Sequence, residues 1–153
     1  STLQVLPLSI KEKNNMKVLE NEVTEFIANF LYHQQDDYVA SILLKQFRSG
    51  YCYHFACILK DTFHRGQVCW AAPFGHIVWK DIDGEIYDIE GAYTGEAFHF
   101  IPIEYLGETI RDFLHNRTDE HPGATRSQLI DIMKKYCKDN NIQYIEAVEG
   151  YLK

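Results

Sequence analysis

Gly50-Tyr51-Cys52-Tyr53-His54-Phe55-Ala56 decides how the rest of this chain is read. The Ser49-Gly50 break precedes a cysteine, after which Cys52, Phe55, Ala56, Leu59 and Phe63 recur at helical spacing. The segment therefore predicts an amphipathic helix with Cys52 in its first turn, stopped by Gly66. Two more stretches complete the pattern: Gly75-His76-Ile77-Val78-Trp79 and Glu85-Ile86-Tyr87-Asp88-Ile89, both with strand character. In chain order these give a cysteine at a helix start, a histidine opening a strand and an aspartate on the next strand. Those are the groups of a thiolate nucleophile, its base and the orienter of the base.

Whether the three can meet depends on the hairpin. Side chains alternate faces along a strand, so a two-residue Asp83-Gly84 turn would set Asp88 opposite Trp79 and turn it away from His76. A three-residue loop, Ile82-Asp83-Gly84 with Gly84 at the left-handed bulge position, instead pairs Trp79 with Tyr87 and Ile77 with Ile89. Those apolar pairs favour the second register on packing alone. It places His76 opposite Glu90 and diagonal to Asp88, so either carboxylate is a candidate orienter.

Outward from this core the pattern is helices, then strands, then helices. Apolar spacing predicts a helix from about Leu19 to Leu31, and a second one capped by Asp36 with Val39, Ile42, Leu43 and Phe47 inward. Gln67–Ala72, His76–Lys80, Glu85–Ile89 and Ala97–Ile103 read as strands, Glu104–His115 and Ser127–Lys138 as helices, and Ile142–Val148 as a last strand. His121-Pro122-Gly123 is a loop. The fold class is α+β, with N-terminal helices packed on a small antiparallel sheet. Residues 1–15, with Pro7 and Asn14-Asn15, read as an arm or the remnant of a longer parent chain. Residues 16–153 read as a single domain, with Met16 just ahead of the first helical pattern.

Composition restricts the function classes. The 153 residues are 46% hydrophobic and 24% charged with a net charge of −7, so no general nucleic-acid or anionic-membrane surface is expected. No apolar run spans a bilayer, and Leu3-Gln4-Val5-Leu6-Pro7-Leu8 is too short for a signal segment, so a cytoplasmic setting is expected. The four cysteines, Cys52, Cys57, Cys69 and Cys137, read as free thiols. No CxxC or HxxxH pair and no glycine-rich phosphate loop occurs, so neither a metal nor a cofactor is expected.

A helix N-terminus favours the thiolate of Cys52 through its N–H groups and positive dipole end. Gln46, six residues earlier, is a candidate to join the Cys52 N–H in stabilising an oxyanion. Tyr51 and Trp70 are candidate pocket residues.

Taken together, Gly50-Tyr51-Cys52 with Ala56, His76-Ile77-Val78-Trp79 and Tyr87-Asp88 resemble the papain-like cysteine superfamily, most closely its transglutaminase-like branch. The resemblance covers about residues 46–91. It implies a papain-like core with Cys52 as nucleophile, His76 as base and Asp88 as orienter, and Gln46 resembles the oxyanion-hole glutamine of the papain branch. It implies acyl transfer at an amide or ester carbonyl of a protein or peptide substrate: hydrolysis by a peptidase or amidase, or deamidation. The alternatives are a transglutaminase or deamidase acting as a toxin or effector domain, and a non-catalytic interaction module on the same fold. His76 follows Cys52 too soon to leave room for the substrate-cleft domain of papain-type endopeptidases.

Overall fold

The computed structural model describes residues 19–32, 36–116 and 125–152. The N-terminal arm with Met16, and the His121-Pro122-Gly123 loop, lie outside the described residues. Three helices come first: α1 (Glu22–Tyr32), α2 (Asp37–Arg48) and α3 (Cys52–Phe63). Strands β1 (Gln67–Ala72), β2 (Ile77–Lys80), β3 (Ile86–Asp88), β4 (Gly91–Ala92) and β5 (His99–Pro102) follow. A 3-10 turn (Ile103–Leu106) leads into α4 (Gly107–His115), and after it come α5 (Arg126–Asp139) and a 3-10 helix (Glu146–Leu152). The strands form one antiparallel sheet in the order β4-β3-β2-β1-β5. The architecture is α+β. No described helix is long and apolar enough to cross a membrane.

Helix starts obey their local chemistry. Asp36 accepts the N–H of Tyr38 at 2.8 Å, and Thr125 and Gln128 form a reciprocal capping box. On α3, Phe55, Ala56 and Leu59 are buried and pack with Val23 and Ile27 of α1 against Trp70, Ile77, Trp79, Tyr87 and Ile101 of the sheet. Cys69, Ala71 and Val78 occupy the opposite face with Ile86, Tyr93 and Phe100. α3 thus lies along the sheet with its first residue at the start of β2.

The β2–β3 hairpin adopts the three-residue loop. Trp79 pairs with Tyr87 and Lys80 with Ile86, the Asp81 N–H meets the Glu85 carbonyl at 2.8 Å, and Gly84 takes φ 90°. The Trp79 and Tyr87 rings lie 5.7 Å apart. Burying this aromatic pair fixes the register that brings the Asp88 side of β3 toward His76.

Three expectations change, and one strand is added. α3 ends at His64, which itself adopts the left-handed conformation (φ 54°), and Gly66 serves a different need. A Cβ on Gly66 would lie 2.5 Å from the Lys80 carbonyl oxygen and 2.6 Å from Trp79 Nε1. Val39 and Ile42 are exposed; α2 meets the core through Leu44 and Phe47, the latter 5.9 Å from Phe30 and 5.4 Å from Phe55. Ile142–Val148 forms no strand. Tyr144, Val148 and Leu152 recur every four residues and pack into the main core, a helical spacing that a short apolar run conceals. Finally, β4 follows β3 after a two-residue turn, too short to show periodicity.

Candidate active site

Gly50 takes φ 123°, a conformation glycine tolerates, and turns the chain from the end of α2 into α3. The Tyr51 N–H is tied to the Gln46 carbonyl at 3.0 Å, and the Tyr51 carbonyl accepts from His54 and Phe55. Cys52 is therefore the first residue of a twelve-residue helix, half-buried beneath the start of β2. There the backbone N–H of Ile77 donates to Cys52 Sγ at 3.3 Å.

His76 immediately precedes β2. Its Nε2 lies 2.9 Å from Asp88 Oδ2, and the ring shares a cleft with the Cys52 thiol. Asp88 is 8% exposed, and its Oδ1 accepts the Glu90 N–H at 2.8 Å across the β3–β4 turn. One carboxylate oxygen thus holds the turn while the other holds the imidazole. The Glu90 carboxylate pairs instead with Arg48 at 2.9 Å and is half exposed. Of the two candidate orienters, Asp88 is the one in contact with His76.

These contacts oppose burial and overcome it. Burial pushes the Cys52 thiol up, but the hydrogen bond from His76, the Ile77 N–H, the imidazolium charge and the Tyr53 N–H together draw it below the ordinary thiol value. Burial pulls His76 down, and its bonds to Asp88 and Cys52 raise it to about 9. Burial raises Cys57, Cys137 and Cys69, the last to about 11. Cys52 alone of the four is drawn down. The arrangement favours a thiolate–imidazolium pair, able to attack an electrophilic carbon and to return a proton to a leaving group.

Both residues open onto a cleft of about 470 Å³. Trp70 lines it, with Nε1 donating to the Phe74 carbonyl at 2.6 Å. Tyr51 caps α3 from an exposed position and is not among the lining residues. Gln46 is exposed on the last turn of α2 and also lies outside the lining; its tie to the segment that carries Cys52 is the main-chain bond to Tyr51.

Two features escaped sequence reasoning. Tyr93 lays its ring 5.5 Å from that of His76 and donates its hydroxyl to the Glu96 carbonyl. Its signal was an aromatic just beyond Asp88. The far wall of the cleft comes from Leu106, α4, α5 and the C-terminal 3-10 helix, segments that no local motif links to Cys52. Among the described residues no group of three His, Cys, Asp or Glu side chains is arranged to hold a metal ion.

No curated protein and no solved structure matches the chain. A family model described as "Phage YunG-like protein" matches residues 23–133, a span that includes Cys52, His76 and Asp88 and most of the sequence, and the chain therefore belongs to the Phage YunG-like family.

Proposed function

We propose that this protein is a cysteine enzyme of papain-like type, closest to the transglutaminase-like branch, that transfers acyl groups from an amide or ester. One observation carries the reading: the Cys52 thiol at a helix N-terminus meets an imidazole whose far nitrogen is held by a buried carboxylate. The helix opening with cysteine, packed on an antiparallel sheet that supplies the histidine and the aspartate, supports a papain-like core.

In this mechanism the proton of Cys52 rests on His76 and Asp88 holds the imidazolium through Nε2. The thiolate adds to the carbonyl carbon to give a tetrahedral oxyanion. Its collapse breaks the bond to the leaving amine or alcohol, which takes the proton from His76 and leaves a thioester on Cys52. Water then gives up a proton to His76 as it attacks the thioester, and the acid and free thiol are released. Attack by water makes the protein a peptidase, amidase or deamidase; attack by an amine makes it a transglutaminase.

The test is alkylation of the native protein by iodoacetamide, followed across pH with each labelled cysteine identified by mass spectrometry. Selective labelling of Cys52 well below the reference thiol value of about 8.5, lost in His76→Ala, is expected. Labelling of Cys52 no faster than Cys57 would overturn the reading and leave the fold as an interaction module.

A further inference from the structure

The cleft beside Cys52 has a composition that specifies a substrate. Leu106, Ile110, Leu114, Leu129 and Leu152 form an aliphatic wall contributed by α4, α5 and the segments flanking them. At its edge stand Phe74 and Tyr151, 5.6 Å apart, with Phe98 5.5 Å from Tyr151. Phe98 and Tyr151 are 40% and 57% exposed, so the apolar surface continues outward from the cleft. A substrate filling it needs an apolar stretch longer than a single methyl or methylene group.

The charges are equally selective. Apart from the Cys52–His76 pair, the formally charged lining residue is Arg126, and no Asp or Glu lines the cleft among the described residues. This occurs on a chain whose net charge is −7. Arg126 is held by Nη2 donating to the Glu149 carbonyl at 2.9 Å. A guanidinium has five N–H donors, and among the described residues this bond from the exposed Arg126 uses one of them, which leaves donors for a ligand. Beside an apolar wall such a fork matches a carboxylate, which it binds in two-point fashion.

We infer that the acyl chain taken by this site is apolar and ends in a carboxylate, the chain lying on the aliphatic wall and the carboxylate on Arg126. The inference rests on the proposed chemistry of Cys52 and adds Arg126 as its specificity-determining residue. A dicarboxylic monoacyl group meets this description. A cationic or strongly polar acyl group does not.

Thiol-directed probes separate the inference from the chemistry beneath it. Maleimides add across their double bond to a thiolate, so their rate on Cys52 reports both reactivity and recognition of the N-substituent. Cys52 labelling of the full chain is measured with N-(ω-carboxyalkyl)maleimides of two, five and ten methylenes and with N-alkylmaleimides of matched length. Each rate is taken relative to N-ethylmaleimide on the same variant. In the wild-type protein at least one carboxylate-ended probe is expected to outpace its neutral partner by about tenfold, the worth of one good charge-assisted contact. The preference is expected to vanish in Arg126→Gln, return in part in Arg126→Lys, and fall with added salt. Longer neutral probes are expected to outpace shorter ones in every variant. Should Arg126→Gln fail to fold, the salt dependence of the wild-type ratio reads the same contact. Rapid Cys52 labelling by N-ethylmaleimide with no carboxylate preference at any length would overturn the inference while the thiolate chemistry stands. Failure of Cys52 to label selectively at all would remove the chemistry, and the inference with it.

Discussion

Asp88 bonds His76 Nε2 through Oδ2 at 2.9 Å while its Oδ1 accepts the Glu90 N–H at 2.8 Å. The first bond raises His76 and the second fixes the carboxylate, so its charge is aimed at the ring. Asp88→Asn removes the charge and keeps the shape. The His76 value is expected to fall from about 9 by at least about one unit, and Cys52 labelling at pH 7 to slow by about tenfold. Glu90→Gln, which breaks only the exposed pair with Arg48, is expected to change either by less than about twofold. Imidazole titration by NMR and alkylation kinetics measure both; equal effects of the two substitutions would contradict the assignment.

Turnover of any amide or ester substrate should be bell-shaped in pH. The acid limb follows ionisation of Cys52, drawn below the ordinary thiol value chiefly by His76 and the Ile77 N–H against the opposing effect of burial. The alkaline limb follows His76, which loses the proton needed by the leaving group as pH rises through about 9. Alkylation of Cys52 consumes no such proton, so its rate should rise through the acid limb and then stay high. A single-limbed turnover profile would show that His76 is not the proton donor.

Tyr93 covers the imidazole ring and is held by its hydroxyl on the Glu96 carbonyl. Removing the ring admits water, which screens the His76–Asp88 attraction. Tyr93→Ala is expected to lower the His76 value and to slow Cys52 labelling severalfold, whereas Tyr93→Phe keeps the ring and most of the rate. NMR titration of His76 in the two variants distinguishes them. Equal imidazole values in both would mean that the ring plays no part.

The legible parts of this molecule are the local ones. Cys52 could be placed at a helix start because Gly50 and the Phe55, Ala56, Leu59 stripe lie next to it, and the hairpin register followed from Trp79 facing Tyr87. The choice between Asp88 and Glu90 was not legible, because it depends on Arg48, 42 residues before Glu90 in the chain, drawing Glu90 outward. Gly66 misled as a helix stop because close packing against Trp79 and a positive φ select the same residue. Ile142–Val148 misled because its burial partners lie in the main core, whereas a strand reading requires a free sheet edge. The cleft wall was invisible for the same reason: its residues come together only through the fold.

Asp81 is a second buried carboxylate, with a structural task. It accepts Arg65 Nε at 2.7 Å and Nη2 at 3.0 Å, and Arg65 also reaches Glu22 at 2.8 Å, joining α1, the α3–β1 connection and the β2–β3 loop. Its carboxyl is held below the usual range, first by the bonds from Arg65. Because the folded value lies below the unfolded one, the stabilisation is fully present above the unfolded value of about 3.9 and is lost as pH falls through the folded value. Asp81→Asn is expected to cost about 2 kcal/mol at pH 7, the worth of hydrogen bonds to a buried charge. In urea titrations the gap between wild type and variant should be flat from about pH 5 to 8 and narrow below about pH 4. A gap that widens on acidification would refute this role.

Gly66 carries the α3–β1 connection past the Trp79 indole, whose Nε1 donates to the neighbouring Arg65 carbonyl at 3.0 Å. Its φ of 81° is unfavourable for an L-residue, and an added methyl group would press on the Lys80 carbonyl, a backbone atom that cannot swing aside. Gly66→Ala therefore meets two penalties: a left-handed backbone of about 1 kcal/mol and a packing clash of about 1–3 kcal/mol. A thermal melt should show a loss of several degrees or more. Gly84→Ala is the control, since Gly84 has a similar φ of 90° and nothing within 4 Å of an added Cβ. It should lose only the backbone part. If the two variants melt together, the close approach of Trp79 and Lys80 is not what requires glycine at residue 66.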